Sequence, residues 1–552
     1  MQNKLFIALI SLFSLVQFSC MSKNNSRRII VASSGKVESL DPARVTTLKS
    51  FQLLASLGDT LYVLNSYGKL VPKLAVGMPI ISDDKLNITI NLKENIYFHD
   101  GTQFDAEAMK FSIDRFRQIG INKYILGDKI NFIETPSKFK LVFNLNEPSG
   151  SIKALLTSIN LTPISPTFYK NYSNKFLNDD FIGTGKYFLK SFSNEKQFIE
   201  PNENYWGVRP KNDGINFIGY ENSSSLYGAL KSKQIDVLLS NSIEDIQRYE
   251  LNLSSKEKKI REGVAPETQI TFISLRTNSS PFNNLNIRLA ISKSINRKLI
   301  SRKVSYSLRK PLRNIVPPIF KESNEELWPE YNPKEAKILL EKEGFCNGKE
   351  LKFPLTYRSN VPSDKLIALI IQEDIKSNLS DCISIDINGV ESTTMYDNLS
   401  KGVYPAAIYD WTGLYSDPEA YLKPLLSCSE IVKNVCKKGE SVLSGSFWAS
   451  KQIENLFKES DSMVGNNRLN NLIKIEKIAS ESVPYIPIWI SSQKAWSQNK
   501  ISKPIFNGAG IISLSDLEII PENKVESREK QKSPTSEVLS LEKDDSEIKE
   551  NE

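Results

Sequence analysis

Histidine occurs once in this 552-residue chain, at position 99. A Ser-His-Asp or Cys-His catalytic group would have to use it. It lies in YFHDGTQFDAEAMKFSIDRF, Tyr97–Phe116, and its neighbours speak against catalysis. Asp100-Gly101 is a strong turn pair, and the chain then enters a helix for which Asp105 is placed as the cap. His99 and Asp100 are therefore expected to make hydrogen bonds within a strand-to-helix corner. A His-rich metal site is excluded, and a zinc site built from cysteines would conflict with the export signal described below. GTGKY, Gly183–Tyr187, lacks the GxxxxGK[ST] spacing that cradles phosphate. The acid pairs Asp83-Asp84 and Asp179-Asp180 lie in polar loops and read as solvated rather than as an acid and base. No spacing demands an enzyme, and no catalytic residue, metal or cofactor is expected.

A different group has the form of a binding surface. IYDWTGLYSDPEAYLKPLL puts Trp411, Gly413 and Tyr415 between a strand and a Pro-started helix. Aromatics on a loop after a strand, with glycine allowing close backbone approach, suit the wall of a ligand cleft. Core packing of Trp411 is the alternative.

The elements that must hold such a loop follow from patterning. RRIIVASSGKVESLDPA reads as a strand running into a loop, and LNITINLKENIYF alternates as a strand pair. FDAEAMKFSIDRF is a helix with Met109, Ile113 and Phe116 as its apolar stripe. SLYGALKSKQIDVLLS reads as helix, turn and strand. NIRLAISKSINRKLI and NPKEAKILLEKEGF are helices, and RLNNLIKIEKIASESVPYIPIWI is a long helix, a proline break and a strand. The mixture indicates α/β lobes with mixed sheets. Length suggests two or three units of roughly 150 residues each. Apolar residues make up 40%, charged residues 24%, and 71 basic against 64 acidic residues leave a formal charge of +7. That excess is mild and unclustered, so nucleic acid binding is not inferred.

The two ends differ from the rest. MQNKLFIALISLFSLVQFSC has Lys4 and then an apolar run from Leu5 to Phe18, shorter than the ~20 residues of a membrane span. Residues 1–20 read as a signal peptide, with Cys20 as the lipid-attachment residue of a bacterial lipoprotein. The position three before it is Gln17 rather than an aliphatic residue, and ordinary signal cleavage is the alternative. Residues 522–552 have few apolar side chains and mixed charge, and are expected to be a disordered tail. With Cys20 set aside, four cysteines allow three pairings. Local pairing is expected: Cys428 with Cys436 across a Lys-rich loop, and Cys346 with Cys382, each preceding an apparent strand. Free buried thiols are the alternative.

Several stretches together carry a resemblance. SLDPA (Ser39–Ala43) precedes GDTLYVLNSYGKLVPKLA, then NLKENIYFHDGTQFDAEAMKFSIDRF, GTGKYFLKSF, NENYWGVRPKNDGINF and LKSKQIDV. SSPFNNLNIRLAISKSINRKLI, YNPKEAKILLEKEGF, DWTGLYSDPEAYL and SVPYIPIWI follow in order. From about Ile30 to Ile520 the chain resembles the extracytoplasmic solute-binding proteins of bacterial ABC importers, in the dipeptide/oligopeptide/nickel class, family 5. The resemblance implies a two-lobed periplasmic-binding-protein-like α/β fold, with a hinge between lobes and an extra subdomain inserted in the first. Lobe one would span 28–272 with the insert at about 61–177, lobe two 273–487, and the return to lobe one 488–521. The implied ligand is a small molecule or peptide, and the implied partner an ABC permease with cytoplasmic ATPase subunits. The protein would be a monomer of the periplasm or cell envelope, touching the membrane through lipid at Cys20.

Site residues carry over one at a time. In the resembled peptide binders an aspartate three after the loop tryptophan pairs with the ligand's α-ammonium. Here Trp411, Thr412 and Gly413 match, but that position is Leu414, which offers no charge. Tyr415 completes the wall. Arg358, in LTYRSNVP, lies where dipeptide binders place an arginine for the ligand carboxylate; a surface arginine is the alternative. Ser39, Leu40 and Asn278 flank the cleft by family position. Nickel binding is disfavoured because no histidine lies near the expected cleft. The rival reading is a chaperone or surface adhesin on the same fold with a wide apolar groove.

Overall fold

The structure, a computed structural model, describes residues 28–521 apart from 127–128, 240–242 and 322–324. The signal-peptide and lipid-attachment readings, Cys20 included, and the tail reading at 522–552 lie outside the described residues.

An 11-stranded mixed sheet runs through the molecule. Its strands in chain order are β1 (Ile29–Ser34), β2 (Tyr187–Phe192), β3 (Lys196–Pro201), β4 (Ile215–Tyr220), β5 (Val237–Leu239), β6 (Ile260–Leu275), β7 (Leu351–Arg358), β8 (Ile383–Val390), β9 (Ala406–Trp411) and β10 (Tyr485–Gln498). In space they lie β8-β7-β9-β6-β10-β5-β1-β4-β3-β2, and Lys310–Pro311 pairs with β10. The first four residues of β1, Ile29 to Ala32, are all apolar because Val31 enters one core and Ala32 the core on the opposite face. A strand buried on both faces loses the polar alternation of a half-exposed one.

β6 and β10 are the two long strands, antiparallel to each other and shared by both lobes. Near one end β10 pairs with β5, through Val237↔Ser497. Near the other, β6 pairs with β9, through Ile270↔Trp411. The register slips between Val264 and Glu267 and again between Glu267 and Gln269; such slips bend a strand and sharpen its twist. Ile270 and Ile490 belong to the lobe-two core, whereas Ala265 and Ala495 belong to the lobe-one core. The change of core thus occurs inside two continuous strands, between Ala265 and Ile270 on β6 and between Ile490 and Ala495 on β10.

A separate core belongs to the inserted unit. It has a four-stranded antiparallel sheet, ordered Ile80–Ile81, Asn87–Asn91, Lys140–Leu145, Ile130–Ser137. Against this sheet packs the helix Ala106–Ile119, with Met109, Ile113 and Phe116 buried and the Asp105 carboxylate capping the Ala108 N–H. LNITINLKENIYF yields one strand rather than two: Asn95 turns with φ 60°, and Tyr97 makes a single bridge to Gln103. NIRLAISKSINRKLI splits into Leu285–Lys293 and Arg297–Ser305, because Asn296 caps a new helix through the Leu299 N–H.

Disulfides join Cys346 to Cys382 and Cys428 to Cys436. β7 and β8 are parallel neighbours with Leu351 opposite Ile383, and the Leu351 N–H donates to the Cys382 carbonyl. That register brings the two segments preceding the strands together.

Candidate ligand-binding cleft

β9 ends at Trp411, and the helix α1 (Leu48–Leu57) of lobe one lies across the seam from the loop that follows. This loop, Thr412–Ser416, leads into the helix Glu419–Leu426. The Trp411 indole N–H donates to the Ala420 carbonyl at 2.8 Å, and the Tyr421 hydroxyl to the Thr268 carbonyl at 2.8 Å. A Cβ at Gly413 would lie 2.8 Å from the Tyr421 ring and 3.0 Å from the Ala420 side chain. Glycine is what lets the loop fold back on its helix.

The loop and Tyr421 line a cavity of about 290 Å³ whose other wall is lobe one: Thr46, Leu48, Phe51 and Thr157–Asn160, with Gly508 and Ala509. Among the described residues, no Asp, Glu, Lys, Arg or His lines it. Leu48 and Gln493 also border a second cavity of about 280 Å³ containing Ser33, Lys49 and Lys494. Lys494 borders a third, of about 300 Å³, containing Arg358, Asp364, Asp410, Asp245 and Arg309. The three adjoin one another through these shared residues, and the middle one is lined by lobe one and the crossing strand β10.

The expected site residues separate on this geometry. Thr412, Gly413, Leu414 and Tyr415 come together on the cavity wall. Trp411 does not join them: its indole is tied back to the helix, packs on the lobe-two core and lines a smaller cavity of about 190 Å³ behind the loop. Ser39 and Leu40 are buried at 3% and 0% exposure, and neither borders the cleft. SLDPA instead rivets lobe one. The Asp41 carboxylate pairs with Arg115 at 2.5 Å and accepts the N–H groups of Ala43 and Leu177. Asn278 is exposed beyond the end of β6 and borders none of these cavities.

Arg358 is buried, so it is not a surface arginine, but its charge is already used. It pairs with Asp364 at 2.7 Å and with Asp410, and donates to the Tyr396 hydroxyl at 3.1 Å. Burial disfavours its charged form, but Asp410 and Asp364 outweigh that and raise its pKa further. A ligand carboxylate there would have to displace an internal one.

Leu414 is half-buried, and with Tyr415 it packs against the core of the inserted unit, across the seam. The position that bears an acid in the resembled peptide binders is thus an apolar contact between lobes. Beside it lies an ionic contact that sequence reasoning missed. The Glu419 carboxylate, 1% exposed, accepts from Lys129 at 3.3 Å and from the Ser151 hydroxyl at 3.0 Å, both from the inserted unit. From its own lobe come Lys423 at 3.2 Å and Arg468 at 2.8 Å. Burial alone would raise its pKa, but Lys129, Lys423 and Arg468 outweigh burial and hold it well below the usual carboxylate range. No sequence signal links Lys129 to Glu419, which are 290 residues apart.

His99 borders none of these cavities. Its backbone N–H donates to the Gly183 carbonyl at 2.9 Å, and its Nε2 faces the Gly185 carbonyl at 3.1 Å, which assigns the proton to Nε2. Asp100 accepts instead from the Thr102 N–H and the Ser165 hydroxyl. Among the described residues, no group of three or more His, Cys, Asp or Glu could hold a metal ion.

The sequence profile of the bacterial extracellular solute-binding proteins, family 5 Middle, matches residues 69–433. The chain belongs to this family. It is 25% identical over 442 residues to the probable D,D-dipeptide-binding periplasmic protein DdpA of Escherichia coli K12, covering 77% of this chain and 80% of DdpA. It is 24% identical over 441 residues to heme-binding protein A of Haemophilus influenzae, covering 74% and 77%. NikA from Brucella suis in complex with Fe(III)-EDTA superposes with TM-score 0.78 at 20% identity, covering 89% of this chain and 99% of that one. DppA from Helicobacter pylori in complex with peptide STSA gives 0.73 at 23% identity, covering 89% and 98%. These structural likenesses establish the two-lobed fold. The ligands for which those proteins are named differ in kind, so the nature of a family 5 ligand must be read from the cleft itself.

Proposed function

We propose that this protein is the capture component of a bacterial ABC importer. It closes its lobes over a small organic solute, a short peptide before other classes, and delivers it to a membrane permease with cytoplasmic ATPase subunits. It acts as a monomer in the cell envelope, anchored through Cys20, and leaves its ligand chemically unchanged. Lobe one then comprises residues 28 to about 264, with its insert, and the return after about 494; lobe two lies between.

The supporting observation is the cavity between Thr412–Ser416 on one lobe and Thr46, Leu48 and Phe51 on the other. It is walled by both lobes and lined by apolar and small polar side chains, and among the described residues its only titratable side chains are the tyrosines 415 and 421. Pockets of this kind suit capture and release rather than chemistry. Cavities of about 280–300 Å³ also match a small solute better than the wide groove an unfolded-chain binder would need.

Thermal-shift titration with di- to pentapeptides tests the reading, alongside mass spectrometry of ligand co-purified from the envelope. Peptides should raise the melting temperature by mass action. No shift with any peptide, together with a shift from sugars or other solutes, would overturn the peptide assignment. Because Leu414 supplies no charge, N-acetylated peptides should bind within about threefold of the free-amine forms. Leu414→Asp should create a preference for the free amine.

A further inference from the structure

The cavity beside the loop cavity has a different chemistry. It lies at the C-terminal end of β1, between that strand and the N-terminus of α1. Parallel strands β4 and β5 flank β1 there, and such strand ends are where α/β sheets open toward ligands. Two lysines border the cavity. Lys494 is spent on Glu262 at 2.9 Å. Lys49 is half-buried and forms no ion pair among the described residues. Burial lowers the pKa of its ammonium, and exposed Glu38 offsets this only in part. Its Nζ rests against the backbone at Gly35, where an added Cβ would lie 2.6 Å away.

Two further groups converge on the same space. Ser33 is 6% exposed, borders the cavity, and its hydroxyl has no hydrogen-bond partner among the described residues. The N–H groups of Leu48 and Lys49 are the first two of a ten-residue helix whose cap, Thr47, serves the Ser50 N–H. The helix itself leaves those first donors unsatisfied, and its dipole favours an anion there. A buried orphan hydroxyl, an ammonium without an ion pair among the described residues and the first helix donors together lack one thing, an anionic acceptor.

We infer that Lys49, Ser33 and the N-terminus of α1 form the subsite for a carboxylate of the ligand. The inference rests on the small-solute reading above and specifies it. The body of the ligand lies against Thr412–Tyr415, where no charge is offered. Its carboxylate reaches past Leu48 and Gln493, which border both cavities, to Lys49. The ligand is thus recognised by its acid end rather than by an ammonium. Arg358, held by Asp364 and Asp410, takes no part in it.

The test measures binding by calorimetry to wild type, Lys49→Met and Ser33→Ala. One set of ligands is di- to pentapeptides with free or amidated C-termini. The other is non-peptide monocarboxylates, N-acyl and aryl acids, with their amides. Circular dichroism and melting curves check that each variant folds. In wild type, amidation should weaken binding at least about tenfold, as loss of a charge-assisted hydrogen bond does. Lys49→Met should bind the acid about as weakly as wild type binds the amide, and should no longer distinguish the two. Ser33→Ala should lose about threefold for acids only. Equal binding of acid and amide by wild type, or an undiminished acid preference in Lys49→Met, overturns the subsite and leaves the peptide reading intact. Lys49-dependent binding of non-peptide acids with no peptide binding overturns the peptide reading and supports the subsite. Binding of no acid from either set overturns both.

Discussion

Replacing Lys129 by methionine should open the molecule without unfolding it. The Lys129 ammonium reaches across the seam to Glu419 at 3.3 Å and donates to the hydroxyls of Ser149 and Ser151 in its own unit. Stripping a buried carboxylate of its only cation costs about 3–5 kcal/mol. Glu419 keeps Lys423 and Arg468, both from its own lobe, so the loss is smaller. One charge-assisted hydrogen bond contributes about 1.5–3 kcal/mol, and the Lys129 side chain is 18% exposed, which lowers the figure through solvent screening. About 1–2 kcal/mol remains, a factor of about 5–30 in the equilibrium between open and closed lobes. Nearly all of it falls on closure, because the compensating cations stay with Glu419. Small-angle scattering of ligand-free protein should show a larger radius of gyration for Lys129→Met. Ligand affinity should fall by a comparable factor, and the melting temperature by little. A double-mutant cycle with Glu419→Gln isolates the pair. Additive effects in that cycle, or unchanged scattering and affinity, would refute the reasoning.

Three other perturbations have defined outcomes. Burial lowers the pKa of His99 from 6.5, so the folded state binds its proton less well than the unfolded chain. The stability this contributes is present above pH 6.5 and is lost as pH falls below it. A proton NMR titration of the single imidazole should give a midpoint below 6.5, and His99→Asn should flatten the slope of stability there; a midpoint at or above the free value would contradict it. Arg358→Gln leaves the Asp364 and Asp410 carboxylates without their cation and should cost about 3–5 kcal/mol in urea unfolding; a loss under about 1 kcal/mol would mean the carboxylates are not held as described. Breaking the disulfides by Cys382→Ser, with sequence separation 36, or Cys436→Ser, with separation 8, should cost about 4 and about 2.5 kcal/mol respectively by chain entropy. The reverse order would show that strain or unfolded-state structure dominates.

The sequence carried the architecture because its signals are local and repeated. Asp105 capping a helix with Met109, Ile113 and Phe116 inward is legible in a dozen residues, and the structure forms that helix. The order strand, glycine loop and helix around Gly413 was legible for the same reason, but not that Trp411 turns back onto the helix while Thr412–Tyr415 line the cavity. Position alone misled at Ser39 and Leu40, where a motif that marks the family serves the Asp41–Arg115 rivet instead of the cleft. It misled at Arg358 as well, since nothing in LTYRSNVP says that Asp410 lies opposite. The contacts that join the lobes, Lys129 to Glu419 and Leu414 to the insert, depend on three-dimensional closeness between remote segments, and no spacing rule reaches that far.

The two long strands also set an order of events during chain growth. β6 is complete by residue 275, but its partner along nearly its whole length, β10, begins at Tyr485. Until that segment exists, β6 carries an unsatisfied edge, and β5 lacks its neighbour as well. Both lobes therefore wait on the same fourteen residues, and a chain stopped before Tyr485 would present a long strand unpaired on one edge, apolar in its second half. A chaperone that shields nascent chains would find its main task here, and a nonsense mutation late in the sequence should be as damaging as one in the middle.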